Sequence, residues 1–190
     1  MVTKTSRKPS KTAGAPAKGA PRRTARATKS HPTELLEKQH RKVEGIFKKL
    51  EGGRAEPAPL LTELANNLAA HMAIEQEIYY PAVRKVAPDL VLESYEEHSL
   101  AELGLKRLLD TPQKHEAFRP RVTAVKELIM HHVEEEEGEL FPRVDNKLAA
   151  ETLSKLGLQM KERFATVLEA GFRAAVPNTY EETSADVSKQ

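Results

Sequence analysis

Residues 71–82 read HMAIEQEIYYPA, and residues 132–143 read HVEEEEGELFPR. Aligned, the two stretches share a histidine, a glutamate four residues on, then an aromatic residue and a proline. These are His71, Glu75, Tyr80 and Pro81 in one, and His132, Glu136, Phe141 and Pro142 in the other. Positions i and i+4 lie one turn apart on the same face of an α-helix. Apolar residues continue that face on both sides. The series Leu61, Leu64, Leu68, His71, Glu75, Ile78, Ala82 keeps helical spacing, and so does Val122, Val125, Ile129, His132, Glu136, Leu140. Each histidine and glutamate therefore stands where the period calls for an apolar side chain.

Two more helices show the same interruption. Residues from about Pro32 to Glu51 carry Leu36, His40, Val43, Phe47 and Leu50, and Gly52-Gly53 ends the run. Residues from Pro88-Asp89 to Thr111-Pro112 carry Val91, Tyr95, His98, Glu102, Leu105 and Leu109. His40 is followed by Glu44, as His98 is by Glu102, which extends the repeat; the stripe there favours Val43, so Glu44 ranks as a possible additional ligand or supporting group. A fifth segment, about Ala149 to Phe172, has Leu153, Leu156, Met160, Phe164 and Val167 on one face. Strand alternation is rare and the connections are short. The expected fold is all-α: an up-and-down antiparallel four-helix bundle over residues 31–173 with an additional C-terminal helix, a disordered basic arm at 1–30, and a polar tail at 174–190.

Carboxylates buried at mid-helix cost several kcal/mol by rough estimate unless they are neutralised or paired. A metal is the simplest common partner, because it neutralises acids and accepts neutral imidazole nitrogens. His40, His71, Glu75, His98, Glu102, His132 and Glu136 make seven candidate ligands. Seven exceed one four-coordinate zinc site. They suit a pair of six-coordinate irons or manganese ions bridged by carboxylates, with a position left open.

The ordered set His40, His71-x-x-x-Glu75, His98-x-x-x-Glu102 and His132-x-x-x-Glu136 resembles the hemerythrin-like (HHE cation-binding) family over roughly residues 31–147. The resemblance implies a non-haem centre of two iron ions, with manganese or zinc as other occupants. It implies Glu75 and Glu136 as bridging carboxylates and His40, His71, His98 and His132 as terminal ligands. Oxygen-carrying members place a fifth histidine where this chain has Glu102. A hard anionic ligand there favours ferric iron over a lasting dioxygen adduct. The implied small ligand is dioxygen, peroxide or nitric oxide, with iron sensing or storage as related roles. Any catalysis is expected to be oxidoreduction of a small molecule such as hydrogen peroxide.

The rest of the chain narrows the classes. In 190 residues there is no cysteine, which excludes disulfides, thiolate metal sites and a cysteine nucleophile. No apolar run is long enough for a membrane span or a signal-peptide core, so no membrane contact and a cytoplasmic location are expected. Phosphate loops and Ser-His-Asp order are missing. Residues 1–30 hold nine basic residues and no acidic one, whereas the remainder is net acidic. Arg22, Arg23 and Arg26 are candidate contacts to nucleic acid or an acidic partner, without aromatic residues for base stacking. The alternative to a small-ligand protein is therefore a helical interaction module with a structural metal clamp, acting through this arm. Of the run Glu134–Glu137 only Glu136 has the phase of the stripe, and the other three are expected to face solvent. Tyr79 and Tyr80 read first as packing aromatics, with a phenol beside the metal centre as the second reading.

Overall fold

The computed structural model describes Met1 and residues 30–174. The basic arm with Arg22, Arg23 and Arg26, and the tail beyond residue 174, lie outside the described residues. Helix α1 spans Pro32–Gly52, α2 Pro57–Ile74, α3 Tyr80–Val83, α4 Pro88–Leu109, α5 Phe118–Glu135, α6 Phe141–Lys147 and α7 Ala150–Ala170. Five-residue π-helical turns, Glu75–Tyr79 and Glu136–Leu140, link α2 to α3 and α5 to α6. Proline opens the first turn of α1, α2 and α4, where its missing N–H has no intrahelical partner to lose. Gly53, at φ 62°, takes the left-handed conformation that ends α1.

The directions of the four long helices follow from their packing. One apolar cluster holds Val43, Leu68, Ala101 and Ile129; the other holds Leu36, Ile74, Tyr95 and Leu140. Helix α1 leaves the second cluster at Leu36, passes His40 and enters the first at Val43. Helix α2 runs the other way, from Leu68 through His71 to Ile74. Helix α4 goes from Tyr95 through His98 to Ala101, and α5 from Ile129 through His132 toward Leu140. The chain is thus an up-down-up-down bundle with a polar layer between two greasy ones. Helix α7 lies against α1 and α2 and closes the second cluster with Leu153, Leu156 and Met160. Among the described residues no helix is long and apolar enough to cross a membrane.

Candidate metal centre

The polar layer brings six side chains to one place. Donor atoms of His40, His71, Glu75 and Glu136 lie within 4.8 Å of one another, and so do those of Glu75, His98 and His132. Glu75 belongs to both groups. All six residues are buried, Glu75 and Glu136 at 0% and 1% exposure. Each helix contributes its histidine because the period leaves that position facing the axis, and the π-turns that follow α2 and α5 open with a glutamate one turn on.

The histidines meet Nε2 to Nε2: His40 and His71 at 3.2 Å, His98 and His132 at 3.0 Å. On three of them the far nitrogen is held by an oxygen that can only accept. His40 Nδ1 is 2.8 Å from Glu137 Oε1, His71 Nδ1 is 2.9 Å from Gln39 Oε1, and His132 Nδ1 is 2.7 Å from Glu97 Oε2. A proton on Nδ1 leaves Nε2 of the neutral ring as a bare lone pair aimed at the centre. In the His40–His71 pair two lone pairs then face each other and repel. Both oxygens of Glu75 and Oε2 of Glu136 are buried without a hydrogen-bond partner among the described residues. Converging imidazole lone pairs and orphaned carboxylate oxygens fit a cation, and the remote Nδ1 bonds are those that orient metal-bound histidine.

Protonation follows the same geometry. Burial, then His40 and His132, holds His71 well below the ordinary imidazole range; burial and His132 do the same to His98. Burial also opposes a charge on His132, but Glu136 and Glu97 outweigh it and raise its pKa. Burial works against ionised Glu136, yet His132 and His40 bring it down to about 2. Burial and neighbouring Glu136 push Glu75 well above the carboxylate range. A cation entering this layer therefore displaces protons.

Tyr80 completes the centre. Its hydroxyl donates to Glu136 Oε1 at 2.9 Å and lies 3.2 Å from His98 Nε2 and 3.4 Å from His132 Nε2. Burial, with Glu136 and Glu75 nearby, keeps the phenol protonated. The packing role expected of this tyrosine is thus joined by a polar one, while Tyr79 packs edge-on against Phe141.

Two expected residues belong to neither donor group. Glu102 is buried one turn beyond His98 on α4. Glu44 is turned to the surface, where Lys48 at 2.7 Å and Arg41 at 3.4 Å pair with it. A third expectation is corrected. Glu137 does not simply face solvent, since it joins Arg41 to His40 Nδ1. Gln39, Glu97 and Glu137 were not legible as supports. Each neighbours a candidate ligand in sequence but serves a histidine on another helix, so no single-helix period reveals it.

A cavity of about 20 Å³ opens beside the layer, lined by the four histidines, Glu97 and apolar residues including Val43, Leu68, Met72 and Ile129. About 10–15 Å³ holds one water, so the cavity takes a molecule of one or two heavy atoms.

Residues 31–144 match the hemerythrin HHE cation-binding domain model. The crystal structure of a hemerythrin HHE cation-binding domain-containing protein from Mycobacterium kansasii superposes with a TM-score of 0.66 at 27% identity, covering 74% of this chain and 88% of that one. A DNA nickase from Nostoc sp. is 26% identical over 132 residues, which is 67% of this chain but only 37% of the nickase.

Proposed function

The chain belongs to the hemerythrin HHE cation-binding family, and we propose that it is a non-haem di-iron protein that binds or reduces dioxygen, peroxide or nitric oxide. The observation that carries this reading is the pair of Nε2-to-Nε2 contacts beside the unpartnered oxygens of Glu75 and Glu136. One cation would be held by His40, His71, Glu75 and Glu136, and a second by His98, His132 and the shared Glu75. Iron bound there supplies one-electron Fe(II)/Fe(III) cycling at an open position.

The protein's own groups do the rest. Gln39, Glu97 and Glu137 fix the tautomers of His71, His132 and His40. Tyr80 Oη holds a proton at the edge of the centre, 2.9 Å from the carboxylate it donates to. The apolar wall of the cavity keeps bulk water and organic substrates out, and its size admits a diatomic molecule or peroxide. Metal analysis of protein made in iron-supplemented medium, with absorption spectra before and after peroxide, tests the reading. Two irons per chain and an oxo-bridge charge-transfer band are expected. Colourless protein with less than about half an equivalent of any metal refutes it.

The likeness to the Nostoc nickase and the nine basic residues of the arm favour one further reading, in which residues 1–30 contact DNA and the metal is a structural clamp. Arg22, Arg23 and Arg26 are its candidate contacts. Counterion release makes such binding strongly salt-dependent. A gel shift that survives deletion of residues 1–30, or that ignores salt, excludes it.

A further inference from the structure

A second convergence of donor atoms lies outside the buried layer, between α4 and α5. Glu97, His131 and Glu135 bring ligand-capable atoms within 4.8 Å of one another. His131 Nε2 is 3.9 Å from Glu97 Oε1 and 3.7 Å from Glu135 Oε1. These separations are too long for hydrogen bonds, so the trio is not tied together by its own protons. They match the spacing of ligand atoms around a single first-row divalent cation, about 3.0–4.2 Å for bonds of about 2.1 Å.

Glu97 links this trio to the centre. It is 9% exposed, far more buried than an ordinary surface carboxylate. Its Oε2 accepts the Nδ1–H of His132, while its Oε1 belongs to the outer trio. The same side chain lines the small cavity together with the four histidines of the buried layer. His131, 63% exposed, opens the outer face to solvent.

We propose that Glu97, His131 and Glu135 form an outer divalent-cation site from which iron(II) passes to the buried centre. The passage rests on the di-iron reading above; the outer site does not. Two carboxylates and one imidazole suit a borderline divalent ion, and the coordination positions left to water make it readily exchangeable. The bound ion would stand one carboxylate away from a histidine of the centre. Glu75 and Glu136, deeper and without hydrogen bonds on three of their four oxygens, add their carboxylates to the imidazoles facing them and offer the stronger attraction that draws it inward.

The test compares the full chain with a His131→Ala/Glu135→Gln variant, neither position lying in the buried centre. Manganese(II) is titrated, and the free ion is counted from the electron paramagnetic resonance of its aquo complex. The unaltered chain is expected to take up one more manganese per chain than the variant, and to fill its centre with iron(II) faster in stopped-flow absorption. His131→Asn alone, a change at an exposed position, should reproduce the loss. Equal manganese uptake overturns the outer site, and equal rates of iron loading in two proteins that both fill their centres overturn the passage. Failure of the di-iron reading looks different: neither protein fills the buried centre, and the difference of one manganese between them persists.

Discussion

Glu75 stands at 0% exposure with no hydrogen-bond partner for either carboxylate oxygen among the described residues. Without metal it keeps its proton well above the usual range, because burial and Glu136 oppose its charge. In the unfolded chain the same group ionises near an ordinary value of about 4.3. The folded state therefore binds more protons than the unfolded state above that pH, and the metal-free protein loses stability as pH rises through this window. Glutamine at this position has the same shape and does not titrate. Metal-free Glu75→Gln should consequently melt higher than metal-free wild type at pH 8. The gap should close toward pH 5, while the variant loses metal binding. Thermal unfolding in chelator at both pH values checks this, and a gap that is the same at both refutes the charge argument. His71 and His98 titrate with the opposite sense. Burial holds folded His71 and His98 neutral, so their unfolded counterparts take up protons first and stability falls below about pH 6.5.

At the scale of elements, the π-turns decide which side chains reach the centre. Tyr80 N–H donates to Glu75 O and Phe141 N–H to Glu136 O, each five residues back. The extra residue in the turn returns Tyr80 to the axis after Glu75 has already used it. Pro81 follows and has no N–H, so the carbonyl of Gln76 gets no donor from it. Tyr95 on α4 supplies one instead, its hydroxyl 3.1 Å from Gln76 O, with its ring edge-on to Tyr80 at 5.1 Å between centroids. Tyr95→Phe keeps the ring and removes the donor. It should cost about 1 kcal/mol in denaturant unfolding, the usual net worth of such a bond, and leave metal content unchanged. An unaltered unfolding midpoint excludes this role. The sequence showed the long stripes and the histidines within them, because burial on one helical face writes itself as a period. A π-turn writes only a shift of one residue, here the spacing of five from Glu75 to Tyr80 and from Glu136 to Phe141. The cross-helix supports of Gln39, Glu97 and Glu137 write nothing, since their partners are far away along the chain.

For the molecule as a whole, the fifth helix sets where the chain enters the bundle. Its stripe was legible, but the surface it covers was not, because no local pattern records which helix pair it crosses. Gly157 marks the crossing. On the buried face of α7 a glycine costs helix stability, about 1 kcal/mol relative to alanine. The reason for it is the backbone of Ser30 and His31, which passes directly over it. A Cβ at residue 157 would lie 2.2 Å from Ser30 O and 2.8 Å from Ser30 C, and Ser30 Oγ donates to Gly157 O at 3.2 Å. Main-chain atoms yield less readily than a flexible side chain, so the clash outweighs the gain in helix propensity. Gly157→Ala should lower stability by about 1–3 kcal/mol, the range for overpacking. It should leave the metal stoichiometry intact, since the centre lies elsewhere. Deleting residues 1–30 removes the two closest atoms, so the same substitution should lose most of its cost in the shortened chain. Denaturant unfolding of the four combinations separates the two contributions. An equal penalty in the long and short chains shows that the crossing is not what excludes a side chain there.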